Sequence, residues 1–403
     1  MRVASALSQH VETSQAVVQA LESIHRELEG ADPDLLVLFV SEHHTRRFDA
    51  IARSLRDTWP RTCLIGCGAS SVIGAGREIE GTPSIGLLAA RLPGVELAPF
   101  HIEADALADP PAALRERLCA PPPAGAGATS VLLLADPYSS GTDVLLAGLD
   151  RALPGASVLG GVASGSPGPG RAALVAGDAS TRQGWVGATM HGAIDFQTVV
   201  AQGCRPIGTP MFVTRGQDNL IHELDGHPPM QIVQQLFEEG DARERALIQS
   251  SLFIGIQMQA GRTEYGQGDF LVRNLAGADE DTGAIAVGAE IDSNFVVQFH
   301  LRDAHTASED LELALRSRTR LRERLRGALL FSCLGRGRGL YGIENHDSDL
   351  LNSHLGPVPL AGFFGNGEIG QVEGRTYLHS YTSAFGLLCE PEAAPRSVAR
   401  RLQ

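Results

Sequence analysis

One arrangement occurs three times along this chain, and it decides most of what the chain can fold into. An apolar run of strand length is followed by a helical stretch, a second apolar run and a cluster of glycines. The first copy runs from "LLVLFV" (35–40) through "RRFDAIARSLRDTWP" to "TCLIGCGASSVIG". The second runs from "SVLLLAD" (130–136) through "TDVLLAGLDRALPG" to "SVLGGVASG". The third runs from "GALLFSC" (327–333) through "DSDLLNSHLGP" to "VPLAGFFGNGEIG". Leu35 to Gly66, Val131 to Gly160 and Ala328 to Gly362 span 31, 29 and 34 residues. Self-similarity at such a period marks a repeated supersecondary unit. A strand, a short helix and a strand predict a right-handed crossover between parallel strands. The segments that follow, "SIGLLAARL", "AALVAG" with "GWVGATMHG", and "TYLHSYTSAFGLL", predict antiparallel hairpins. The sum is an α+β fold of mixed, mostly antiparallel sheets with helices packed on them.

Between the second and third copies the pattern changes. "MFVTRGQDNLIHELDG" predicts two strands around a turn at Gly216–Asn219, and "PPMQIVQQLFEEG" a helix opened by proline and closed by Gly240. "SLFIGIQM", "FLVRNL", "GAIAVG" and "NFVVQFHLRD" are four more strands. "HTASEDLELALRSRTRLRERL" predicts the longest helix, with Leu311, Ala314, Leu315, Leu321 and Leu325 on its packed side. The chain thus divides into a first domain, 1–203, with units at 35–103 and 130–202, a second domain, 204–392, and a tail, 393–403. Residues 119–130 read as a loop between units. The N-terminus reads as one amphipathic helix with Val11, Val18, Leu21 and Leu28 near one face.

Composition narrows the function. The net charge is −14, and all 33 basic residues are arginine. Without lysine there is no Schiff-base chemistry and no P-loop lysine. An acidic chain without a basic face is a poor partner for nucleic acid. Richness in Arg, Ala and Gly points to a GC-rich bacterial genome. The six cysteines (63, 67, 119, 204, 333, 389) are scattered, and no His, Asp or Glu set has ligand spacing. Reduced thiols, no metal and no cofactor are expected. No apolar run reaches ~18 residues, so a cytoplasmic protein without membrane insertion is expected.

The candidate site lies in the third copy. "CLGRGRGLYG" follows a strand and could form an anion-binding nest over Gly335 and Gly337, with Arg336 and Arg338 clamping a carboxylate. The alternative is two solvated arginines on a turn. G-x-G-x-x-G occurs twice, at Gly337 and at Gly365, but neither opens a helix directly as a dinucleotide site requires. Cys333 ends the strand before the loop. Beside two guanidiniums it could be a nucleophile, with His346, His354 or His379 as base; the alternative is a buried structural thiol. Arg273 and Arg302 follow apolar strands and could point into the same cleft, whereas Asp303 sits where a helix cap belongs. The first and third glycine turns align without gaps, Leu64, Gly66, Ile73 and Gly74 matching Leu360, Gly362, Ile369 and Gly370. The shared glycines read as structural, and the unshared Phe364, Asn366 and Glu368 as ligand contacts. Glu368 would meet an ammonium and an arginine a carboxylate, which together fit a zwitterion.

Several of these segments in order, "DGHPP", "FLVRNL", "VQFHLRDA", "FSCLGRGRGLYG", "VPLAGFFGNGEIG" and "LHSYTSAFGLL", resemble the C-terminal half of the FIST domain (F-box and intracellular signal transduction). "LIGCGASSVIG" and "VLGGVASG" resemble its N-terminal half, so the resemblance covers roughly residues 10–392. It implies a sensory module of bacterial signalling proteins, similar to the substrate-engaging region of a eukaryotic F-box only protein. It also implies binding of a small molecule, such as an amino acid. With about 34 residues before the first strand and no output segment after residue 392, a stand-alone module is expected, acting on an unidentified signalling protein. The competing readings are a protein-interaction adaptor docking through the Phe-bearing turn, and a cysteine-dependent enzyme acting on a small anionic substrate.

Overall fold

The computed structural model describes residues 1–118 and 128–392. Most of the expected 119–130 loop, Cys119 and the tail lie outside those residues. The first unit contains β1 (Arg2–Ser8), α1 (Thr13–Glu27), β2 (Leu35–Ser41), α2 (Glu42–Thr45), α3 (Phe48–Thr58), β3 (Cys63–Ala69), β4 (Ser71–Gly74), β5 (Arg77–Ile79) and β6 (Ile85–Arg91). The second contains β7 (Val95–Ile102), α4 (Pro111–Arg117), β8 (Ala128–Ala135), α5 (Thr142–Ala152), β9 (Ser157–Val162), β10 (Leu174–Ala176), β11 (Ala179–Thr181) and β12 (Trp185–Gly192). The third opens with β13 (Asp195–Gln202) and is then interrupted. The interruption holds β14 (Cys204–Gln217), β15 (Leu220–Leu224), α6 (Pro229–Glu239), α7 (Ala242–Ser251), β16 (Leu252–Gln257), β17 (Phe270–Ala278), β18 (Ile285–Val287) and β19 (Val296–Arg302). The third unit resumes with α8 (Ala304–Arg316), β20 (Leu325–Cys333), α9 (Arg338–Tyr341), α10 (His346–Leu355), β21 (Leu360–Gly365), β22 (Gly367–Val372), β23 (Arg375–His379) and β24 (Thr382–Cys389).

The three expected crossovers are present. β2–β3, β8–β9 and β20–β21 are parallel pairs within otherwise antiparallel sheets. The sheet orders are β1-β6-β2-β3-β10-β11, β7-β12-β8-β9-β22-β23 and β13-β24-β20-β21-β4-β5. In each sheet the last hairpin belongs to another unit. Unit one lends β4–β5 to unit three, unit two lends β10–β11 to unit one, and unit three lends β22–β23 to unit two. The three sheets are therefore tied into one cyclic exchange. The inserted strands close a separate barrel, β14-β15-β18-β17-β16-β19, around Val213, Ile221, Ile254, Val297 and Phe299. The barrel begins at residue 204, where the second region was expected, while the strands of the third unit pair with those of the first two.

The glycine cluster expected to be a turn is not one. β21 and β22 are two strands in two different sheets, joined by a corner at Asn366. Gly362 lies inside β21 because its parallel neighbour leaves no room for a side chain. A Cβ there would come within 1.8 Å of the Leu330 carbonyl oxygen. Gly160 and Gly66 face Leu133 and Leu38 in the same way, at 1.7 and 2.5 Å. The antiparallel partners of Gly66, Gly160 and Gly362 are Val175, Ile369 and Ile73, each from a lent hairpin. β-branched side chains thus cap the three glycines. Phe39, Phe331 and Phe363 meet at the centre, with ring centroids 5.2 to 6.1 Å apart, among buried Leu132 and Leu134 of unit two.

Two local expectations fail. The N-terminus is a strand followed by a helix, and the helix buries Ala16, Val17, Ala20 and Ile24 while Val11 and Val18 are exposed. The long helix stops at Arg316; Leu321 sits in a 3-10 turn and Leu325 starts β20. No helix among the described residues is long and apolar enough to cross a membrane.

Candidate functional site

β20 ends at Cys333, at the carboxyl edge of the β20–β21 parallel pair. Ligands of parallel sheets gather at such edges. The chain then folds back on itself, the Arg336 N–H donating to the Cys333 carbonyl at 2.9 Å. This turns the Arg336 side chain inward, where it is only 1% exposed. Its guanidinium grips Asp347 with two bonds, Nε to Oδ2 at 3.1 Å and Nη2 to Oδ1 at 3.2 Å. Asp347 also accepts from Ser332 (3.1 Å), from Ser383 and from His346 Nδ1 (2.9 Å). Burial opposes its charge, but Arg336 and these donors hold the carboxyl well below the usual range.

On the other side of Cys333 lies Glu368 of β22, fully buried. Its Oε2 accepts from the Thr382 N–H (3.1 Å) and hydroxyl (2.7 Å). Burial outweighs these bonds and pushes the carboxyl up to about 8, so it is mostly a neutral acid at pH 7. Burial, reinforced by Glu368, pushes the Cys333 thiol up to about 12. The sulfur accepts the Gly335 N–H at 3.4 Å.

The barrel roofs this edge. Tyr381 adopts a left-handed backbone, φ +64°, which a bulky residue holds only under constraint. Its ring lies 4.3 Å from that of Phe253 and under the Arg302 guanidinium at 5.8 Å, and its hydroxyl donates to Asn274. Arg302 Nη1 donates to the Gly335 carbonyl at 3.3 Å. Cys204 and Phe253 of the barrel share a small apolar cluster with Tyr381. Among the buried polar atoms that meet no ordinary nitrogen or oxygen hydrogen-bond partner among the described residues are Arg336 Nη1, Glu368 Oε1 and the hydroxyl of Tyr341, whose ring lies against Arg336.

The structure therefore gathers Cys333, Gly335, Arg336, Glu368 and Arg302, and separates the rest. Arg338 points outward and faces Glu344 at 3.4 Å, so the two-arginine clamp does not form. The expected nest is occupied internally, since the Arg338 N–H donates to Glu80 Oε1 at 2.8 Å. Gly337 is glycine because its backbone, φ +66° and ψ −154°, lies where other residues are strained. Asn366 is a corner residue whose Nδ2 donates to the Ala163 carbonyl at 2.9 Å. Phe364 is a core residue, 2% exposed, and Phe363 is wholly buried, so the Phe-bearing turn offers no docking surface. Arg273 is a strut, donating to the Leu378 carbonyl at 3.1 Å and lying 4.0 Å from Asp143. An open concavity of 650 Å³ lies between α6, α7 and the residues around Thr282.

The three histidines offered as a base for Cys333 each have another partner. His379 is turned to the Gly370 carbonyl (3.3 Å), His354 to Glu312 (3.9 Å) and His346 to Asp347. Asp303 caps α8 as expected, accepting from His305 and Thr306 N–H groups, and pairs with Arg243 rather than with Arg302. Asp347, Tyr381, Thr382, Ser332 and Ser383 were not foreseen. The only available cue was their position beside Gly-rich strand ends.

Two family models match the sequence. The FIST N domain matches residues 34–227 and the FIST C domain residues 229–371. "Uncharacterized protein Rv0628c" of Mycobacterium tuberculosis strain H37Rv is 35% identical, over 97% of this chain and 100% of the relative. "Uncharacterized protein Mb0898c" of Mycobacterium bovis is 36% identical, over 97% of this chain and 99% of the relative. FIST domains are associated with sensory and signal-transduction roles. With both halves matched in order, and with whole-length relatives of this identity, the chain belongs to the FIST family.

Proposed function

We propose that this protein is a cytoplasmic sensory module whose ligand is a small dipolar molecule, an amino acid or related organic acid, held at the carboxyl end of β20 under the barrel. One observation carries the reading. Arg336 Nη1 is buried and unpartnered, Glu368 Oε1 has only the weakly donating Cys333 thiol beside it, and both side chains neighbour Cys333. A buried polar group left unpaired costs ~1–3 kcal/mol, more when charged. A ligand carboxylate on Arg336 and a donor shared with Glu368 would relieve both costs together. The constrained Tyr381 and the Arg302 strut are the parts such a ligand would move, since they join the barrel to the three-unit body. An unidentified signalling protein would read that movement. The Cys333 thiol lines the site and is not a nucleophile in this reading, because burial keeps it protonated.

The test is a thermal-shift screen of the full chain against the amino acids and small carboxylic acids. A ligand bound only to the native state raises the melting temperature. At least one class should do so, and Glu368→Gln should abolish the shift while the variant itself still melts cooperatively. A flat screen rejects this reading.

A further inference from the structure

A second set of polar side chains lies across the Arg336–Asp347 pair from Cys333. Ser308, in the second turn of α8, places its Oγ 3.0 Å from His346 Nε2. His346 Nδ1 is 2.9 Å from Asp347 Oδ1. α8 packs against α10, and that packing brings the serine to the histidine from 38 residues away. We propose that Ser308, His346 and Asp347 form a serine-nucleophile site that hydrolyses small uncharged carboxylic esters.

The proton arrangement follows from the partners. Asp347 already accepts two bonds from Arg336 and one each from Ser332 and Ser383, so it is an ionised acceptor. The His346 nitrogen facing it must therefore carry the proton. In its neutral form the ring presents a lone pair at Nε2, to which the Ser308 hydroxyl can donate. This is the direction of proton transfer that activates a serine, with the carboxylate fixing tautomer and orientation. Tyr341 holds the plane of the imidazole, stacking on it at 3.4 Å and 9°. The Tyr341 hydroxyl is buried and has no partner among the described residues, an unused donor beside the imidazole. Asp347 is a positioning residue here, whereas Ser308 and His346 would meet the substrate. His346 is only 8% exposed, but Ser308 is half-buried, so the nucleophile is reachable.

In the reaction, Ser308 Oγ bonds to the ester carbonyl carbon and its proton passes to His346 Nε2. The ester C–O bond breaks, and His346 returns the proton to the departing alkoxide. Water then attacks the acyl group, giving its proton to His346, and the carboxylic acid leaves as Ser308 regains a proton. Glu312 lies one turn beyond Ser308 on the same helix face, with exposed Glu309 beside it. Each is paired, Glu312 with Arg316 and His354 and Glu309 with His305, so these basic side chains are already engaged and offer no free charge to an anionic acyl group, which favours uncharged esters.

The site does not depend on the ligand proposed at Cys333, and a flat thermal-shift screen would leave it standing. The experiment incubates the full chain with a fluorophosphonate probe and, separately, with p-nitrophenyl acetate. One adduct per chain should form on the peptide containing Ser308. Ser308→Ala should remove the adduct and lower p-nitrophenol release about a hundredfold, while the variant still melts cooperatively. His346→Gln should slow adduct formation about as much. No adduct, an adduct on another residue, or release unchanged in Ser308→Ala overturns the proposal. Should His346→Gln fail to fold, the Ser308→Ala comparison and the site of labelling still decide it.

Discussion

Glu368 is a carboxylic acid in a place that resists charge, and the pH dependence of stability should record it. Its value in the folded protein, about 8, lies above the ordinary 4.5. Between those two values the native state keeps a proton that the unfolded chain gives up. Stability contributed by this group is therefore full below pH ~4.5, falls as pH rises, and levels off above ~8. Glu78, also raised by burial and then by Asp347, adds a slope of the same sign. His300 and His379, pushed down by burial to about 4, act in the opposite sense. They remain neutral when folded, so stability is lost as pH falls from ~6.5 towards 4. The two effects oppose one another between pH ~4.5 and 6.5, and the carboxyls act alone from there to ~8. Glu368→Gln should remove a loss on the order of 2 kcal/mol between pH 6 and 9, measured by urea denaturation at each pH. A variant with the wild-type slope would show that the carboxyl ionises freely in the folded chain. Cys333, Arg336 and Glu368 could be singled out in the sequence because they lie beside glycines at strand ends, and Arg302 because it ends an apolar strand. Asp347 was not, because an acid that satisfies a buried arginine 11 residues away leaves no periodic trace. Phe364 and Asn366 were misread for a physical reason. In a fold of lent hairpins each repeat meets a different neighbour, so copies diverge through packing as readily as through ligand contact.

The element that makes the exchange possible is a strand with a glycine at its centre. Adding a methyl at Gly362 or Gly160 drives a Cβ into the carbonyl of a neighbouring strand, and backbone cannot rotate away as a side chain can. Gly362→Ala and Gly160→Ala should each cost about 3 kcal/mol or more in chemical denaturation. Gly277→Ala is the control, since a Cβ there meets nothing within 4 Å, and it should stay within about 0.5 kcal/mol. Equal effects at all three positions would reject the close-approach explanation. The strand–helix–strand units were legible because apolar runs of strand length alternate with a 3.6-residue pattern. β1 was hidden because it is built of Ala, Ser and single apolar residues. The face of α1 was misassigned because alanines form half of its buried stripe and weigh little beside Val11 and Val18. Pairing between units was not legible at all, since β4, β10 and β22 read equally well as hairpins on their own sheets.

At the scale of the molecule, lent hairpins make the three units interdependent. Glu368 illustrates this, since it belongs to unit three by sequence but pairs with Gly161 of unit two. The carboxyl end of β20 is thus in contact with the barrel through Arg302, and the sheet that holds Glu368 is tied to the barrel through Arg273. The same wiring governs folding. A fragment ending at residue 203 keeps β4–β5 but lacks β21, the strand they pair with, and keeps β9 without β22. Phe39 would lose both Phe331 and Phe363, leaving a void at the centre of the core. Edges stripped of partners and an unfilled core favour association over folding. The 1–203 fragment alone should therefore show little near-ultraviolet circular dichroism and no sharp melting transition. Co-expression with 204–403 should restore both, because the missing strands return with their own hairpin attached. A sharp, monomeric melt of the isolated fragment would mean that the first two units close their sheets without the third, and the lent hairpins would then be ornament on two finished domains.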